Sequence, residues 1–145
     1  LGMQTSDKGL EFTMSSEGVR LKAYQDTGGV WTNGLGHTGP DVFEGQVITK
    51  EQALAWFRND IKGAERAVDR LVKVALSQGQ YDACVDMVFN VGEGAFSKST
   101  FLRLLNAGNY TAASEEFKRW VYDNGKVQPG LVKRAAGRKE MFLSK

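Results

Sequence analysis

The chain has 145 residues and a mass of 16.0 kDa, which suits one domain with room for two lobes. Its 41% hydrophobic and 25% charged content supports a buried core, and a single cysteine (Cys84) and a single histidine exclude an internal disulfide, a cysteine-based metal site and multi-histidine ligation. A formal charge of +2 lacks the basic bias of a nucleic-acid binder, and no apolar run approaches the length of about 18 residues that a membrane span needs.

In chain order, Leu1-Gly2 stands before Met3 and reads as a cloning remnant or as the end of a removed segment. No signal-peptide pattern is visible. Ser6 or Asp7 can cap a short helix through Leu10, Phe12 and Met14, which Gly18 would end. Arg20 to Asp26 alternates like a strand, with Tyr24 and Asp26 on one side and Ala23 on the other. Thr27-Gly28-Gly29 is a turn signal, and Val30-Trp31-Thr32 returns as a second strand. Gly34 to Gly39 turns into a third. Pro40 to Gln46 is a loop. Thr49 then caps a helix carrying Ala53, Trp56, Phe57, Asp60 and Ile61 on one face, which can continue past Gly63 to Leu71 or Val74 as a connector. Ser77 to Gln80 is a capping box opening an apolar core helix to Gly92. Ser99 or Thr100 starts another helix and Thr111 caps the next, through Phe117 and Trp120. Gly125 to Gly130 is a turn, and Pro129 opens a last helix to Phe142. Strands confined to the start and helices thereafter predict an α+β fold.

Glu17, Asp26 and Thr32 fall within one short, glycine-bounded stretch. A turn centred on Gly29 sets Asp26 opposite Thr32, with Cβ atoms about 4.5–5.5 Å apart, near enough to share one water. Glu17 comes from the preceding helix end. A carboxyl shielded there by packing would keep its proton, while one on an open hairpin stays ionised. That division is the one glycosidases use. Spacing alone leaves a plain scaffold open: a solvated Glu, a turn-stabilising Asp and a structural strand Thr.

The stretch Glu17, Gly18, Leu21, Tyr24, Asp26, Gly29, Trp31-Thr32, Gly34 and Gly36-His37-Thr38 resembles the active-site signature of the phage-type lysozymes, the endolysin family that includes the T-even phage lysozymes. Further matches follow in the family's order. They are Val47 to Lys50 leading into Trp56 to Ile61, then Met87 to Gly92, Leu102 to Leu105, and Arg119-Trp120. Only eleven residues separate His37 from Thr49, which makes this a compact variant. The resemblance implies a lysozyme-like fold. A small β-sheet lobe (about 17–48) and an all-helical lobe (about 75–145 plus the first helix) would be joined by a long helix (about 49–74), with a cleft between them.

The resemblance further implies a muramidase that cleaves the β-1,4 bond between N-acetylmuramic acid and N-acetylglucosamine with inversion, in cell-wall degradation and host lysis. Glu17 would be the general acid, and Asp26 and Thr32 would hold the water. His37 pairs with Asp60 in the family pattern, a structural link that should raise the histidine's pKa. Tyr24, Thr38, Phe89, Asn90 and Trp120 are candidate sugar contacts, each with a packing or capping role as the plain alternative. Arg134 and Arg138 stand where other members carry a denser arginine run, so their roles stay open. No metal or organic cofactor is implied. The expected partner is the peptidoglycan glycan strand, met by a monomer made in the host cytoplasm and acting in the periplasm. The rival functions are a lytic transglycosylase, which needs no positioned water, and a non-catalytic wall-binding or tail-structural module.

Overall fold

The structure, a computed structural model, describes residues 2–144. Leu1, and with it part of the Leu1-Gly2 start, and Lys145 lie outside the described residues. The chain divides into two compact units, Glu11–Lys62 and Leu1–Leu10 with Gly63–Lys145. The architecture is α+β, as the sequence predicts.

The smaller unit is built on a three-stranded antiparallel sheet. Helix α1 (Asp7–Glu17) leads into it. Ser6 caps α1 by accepting the Gly9 amide at 3.1 Å, and Gly18, at φ +83°, ends it where a side chain would be strained. Strands β1 (Arg20–Gln25), β2 (Trp31–Gly34) and β3 (His37–Thr38) lie side by side in chain order. β1 pairs Tyr24 with Thr32 and Gln25 with Trp31, and β2 pairs Thr32 with Thr38. Beyond β1, Ala23 donates to Gln46 O at 2.9 Å and Ile48 donates to Leu21 O at 2.8 Å. The loop before the next helix therefore closes that edge of the sheet. Helix α2 (Lys50–Asp60) begins at Thr49, whose hydroxyl accepts the Gln52 amide, and buries Ala53 and Phe57.

The connector differs from the expected single helix. α2 ends at Asp60, Ile61 intervenes, and α3 (Lys62–Leu71) resumes. Gly63, among the poorest helix formers, sits at the break, which is also where the two units divide.

The larger unit is organised around α4 (Gln78–Val91). Ser77 and Gln80 close the full capping box, and every residue from Tyr81 to Val88 is buried. Burial pushes the Cys84 thiol well above its ordinary pKa, which makes it inert. α5 (Glu93–Ser97), unexpected from the sequence, leads to α6 (Thr100–Asn106), capped by Ser99 as expected. α7 (Tyr110–Glu115) starts after Asn109, earlier than the expected cap at Thr111, and tightens into a 3-10 turn over Glu116–Arg119. α8 (Pro129–Leu143) opens on its proline as expected. Phe101, Phe117 and Phe142 meet with ring centroids 4.7–5.8 Å apart and form the aromatic centre of the core. This unit is not wholly helical. β4 (Tyr122–Asp123) and β5 (Lys126–Val127) make a hairpin whose turn residues, Asn124 and Gly125, both have positive φ.

Candidate active site

The hairpin register corrects one expectation. Asp26 does not face Thr32. The loop is Thr27-Gly28-Gly29, closed by Gly29 N donating to Asp26 O and by Asp26 N donating to Val30 O, both at 2.9 Å. Gly29 takes the left-handed position, at φ +81°, of a type I turn with a bulge. The turn centres one residue earlier than expected, so Thr32 pairs with Tyr24.

The consequence is a row. Tyr24, Thr32 and Thr38 are directly paired across β1, β2 and β3, so their side chains share one face. Asp26 lies two residues beyond Tyr24, which by strand alternation is the same face, as a diagonal neighbour of Thr32. Diagonal Cβ atoms lie about 7–8 Å apart, a span that leaves more room for a water than direct opposition does.

Two polar groups on this face, Asp26 and Thr32, have their hydrogen-bonding roles fixed. Asp26 is exposed, and its Oδ1 accepts the amides of Gly28 at 2.8 Å and Val30 at 2.9 Å. Oδ2 accepts no hydrogen bond among the described residues. Thr32 is buried, and its hydroxyl donates to Val30 O at 2.9 Å. With its proton committed there, Thr32 Oγ1 offers lone pairs to any further partner. Glu17 is the last residue of α1 and is exposed, as are Ser15, Ser16 and Gly18 around it. Glu17 is thus exposed where shielding was expected.

His37 and Asp60 meet as expected, with Nδ1 and Oδ2 2.7 Å apart. The structure adds Asp41, whose two carboxylate oxygens both lie 3.0 Å from Nε2. The ring stacks on Trp56 at 4.2 Å, so α2 backs the pair. Burial pulls the His37 pKa down, but the hydrogen bonds and charges of Asp60 and Asp41 outweigh it and the net shift is upward. Gln46 Nε2 donates to Asp41 O at 2.8 Å and fixes the loop that brings Asp41 in. The only trace of Asp41 in the sequence was its spacing of four from the lone histidine.

Phe89, Asn90 and Trp120 belong to the larger unit, and all three are half-buried. Asn90 Oδ1 accepts Arg138 Nη2 at 2.9 Å. Arg138 Nε donates to Asp86 Oδ2 at 2.8 Å, and Arg134 Nη2 donates to Asp86 Oδ1 at 2.8 Å. Asp86 and Arg138 are fully buried. Burial lowers the Arg138 pKa against the opposing pull of Asp86. Sequence reasoning missed Asp86, although Asp86 with Asn90 and Arg134 with Arg138 are each spaced one helical turn apart. No group of three or more His, Cys, Asp or Glu side chains gathers to hold a metal ion among the described residues.

Comparison with known proteins places this geometry in context. The profile of a family described as phage lysozyme matches residues 14–138. An endolysin of Acyrthosiphon pisum secondary endosymbiont phage 1 is 47% identical, over 98% of this chain and 99% of its own. Among solved structures, a mutant P22 lysozyme superposes with a TM-score of 0.91 at 42% identity, covering 98% of this chain and 99% of that one. The muramidase domain of SpmX from Asticaccaulis excentricus gives 0.88 at 38% identity with the same coverage.

Proposed function

Since the chain belongs to the phage lysozyme family, we propose that it is a peptidoglycan hydrolase, a muramidase that cuts the β-1,4 bond between N-acetylmuramic acid and N-acetylglucosamine with inversion. The observation that carries this reading is the sheet row, which holds Asp26 and Thr32 on one face as two acceptors with fixed orientation.

A water between Asp26 Oδ2 and Thr32 Oγ1 would donate one proton to each. Its two lone pairs then face away from the sheet, toward a sugar laid over that face. Asp26 takes the proton as the water attacks, and its charge stabilises the oxocarbenium-like transition state. Glu17, at the α1 terminus, gives its proton to the leaving glycosidic oxygen. Its exposure in the free enzyme fits this role if the bound glycan covers it, since loss of water favours the neutral acid. Tyr24 and Thr38 flank Thr32 in the row and would contact sugar. Phe89, Asn90 and Trp120 are further candidate sugar contacts. His37, Asp41 and Asp60 hold β3, the loop and α2 together and take no part in the chemistry. The enzyme would act as a monomer on the cell wall from the periplasmic side. No helix among the described residues is long and apolar enough to cross a membrane.

Clearing of permeabilised Gram-negative cells by wild type and by Glu17→Gln tests the assignment. The variant should clear at least about 10²-fold more slowly, the range that general acid catalysis spans. Equal clearing would remove Glu17 from the mechanism.

A further inference from the structure

The geometry points to Arg20 as the residue that binds a carboxylate of the peptidoglycan stem peptide, beside the sugar being cut. This rests on the muramidase reading above. Arg20 and Tyr24 are four residues apart, about 13 Å along a regular strand. β1 is not regular there. Arg20 pairs with Gly34 and Tyr24 with Thr32, so β1 takes four steps where β2 takes two. Bulges of this kind occur beside active sites, where they re-aim a side chain. Here the Arg20 guanidinium carbon sits 4.5 Å above the centre of the Tyr24 ring.

Two further facts give the stack a purpose. Arg20 is exposed and makes no ion pair among the described residues, so its charge is unspent. Tyr24 is the first member of the row with Thr32 and Thr38, and Asp26 follows two residues later. The fixed cation therefore stands on the face assigned to the substrate. Asp26 cannot serve as its standing partner through Oδ1, which the turn amides already occupy. A guanidinium lying on a ring keeps its edge N–H groups free for a two-pronged carboxylate contact. The glycan backbone of N-acetylated sugars is neutral. The anions of this substrate are the carboxylates of the stem peptide, which hangs from the lactyl group of muramic acid.

The test uses isolated sacculi, native or with their carboxylates converted to methylamides by carbodiimide and excess methylamine. Release of reducing ends gives kcat and KM for wild type, Arg20→Ala and Arg20→Lys, with unfolding midpoints measured alongside. On native sacculi Arg20→Ala should raise KM about tenfold with kcat little changed, and Arg20→Lys should recover part of the loss because it keeps the charge without the fork. Amidation should cost wild type about tenfold and the alanine variant nothing, so the two converge. If amidation lowers both by the same factor, or if the loss in Arg20→Ala persists on amidated sacculi, Arg20 does not bind the carboxylate and the proposal falls. Failure of wild type to release reducing ends from native sacculi would instead overturn the muramidase reading, and the proposal with it.

Discussion

Asp26 has one observed duty and one proposed duty, and substitution separates them. Its Oδ1 holds the hairpin turn through two backbone amides, and its carboxylate is assigned to the water. Asn at this position keeps an oxygen for the turn but loses the base. Asp26→Asn should therefore unfold near the wild-type midpoint while its activity falls by at least about 10²-fold. Wild-type turnover by Asp26→Asn would reduce Asp26 to a turn residue. Thr32→Val tests the second acceptor in the same way, because Val keeps the shape without the oxygen. His37 gives a pH signature. Its folded-state pKa lies above the ordinary 6.5 because it bonds both Asp60 and Asp41. Its contribution to stability is thus fully present below pH 6.5 and is lost as the pH rises through the raised value. His37→Asn should cost about 1–3 kcal/mol at pH 5.5, as hydrogen bonds to charged groups do, and much less at pH 9. Urea unfolding at the two pH values measures the difference, and an equal cost at both would remove the charged clamp.

At the scale of elements, the junction of α1 with α4 shows how position is enforced. Asp82, on α4, accepts Ser6 N at 3.0 Å and also the Ser6 hydroxyl, so it grips the residue that caps α1. Gly9 lies so close that a Cβ there would meet Asp82 Cγ at 2.5 Å. Gly9→Ala should therefore destabilise the protein by about 1–3 kcal/mol, the usual cost of overpacking, although alanine is the better helix former. A neutral or stabilising effect in thermal unfolding would show that α1 can shift without cost. Most elements were legible in the sequence because their signals are local. Caps at Ser6, Thr49, Ser77 and Ser99, and Pro129 at a helix start, each mark a boundary within one turn of chain. The errors have physical causes too. Asn124-Gly125 is a strong hairpin signal, but its two-residue strands were too short to show alternation. The Asp26–Thr32 register failed by one turn position, because a three-residue loop with Gly29 left-handed competes with a turn centred on that glycine. Residues paired across distance left little local trace. Asp41 and Asp86 entered the account only through their partners.

For the whole molecule, the larger unit rests on a buried charge cluster in its core. Asp86 holds two guanidiniums, Arg134 and Arg138, between α4 and α8. Removing it takes this carboxylate away from two buried guanidiniums. Asp86→Ala should cost about 3–5 kcal/mol, the usual penalty for breaking a buried ion pair, and chemical denaturation will read it. A loss below about 1 kcal/mol would mean that the arginines find other partners. The smaller unit carries the sheet row and Glu17, so a partly destabilised larger unit should lower the folded fraction while leaving the products of the surviving enzyme unchanged. The products are where the central claim is exposed. Mass spectrometry of wild-type digests of purified sacculi tests it most directly. If Asp26 and Thr32 deliver water to the anomeric carbon as proposed, the digests carry reducing N-acetylmuramic acid ends, each one water heavier than its anhydro counterpart. Anhydro-muramyl ends would contradict it, since they form without that water.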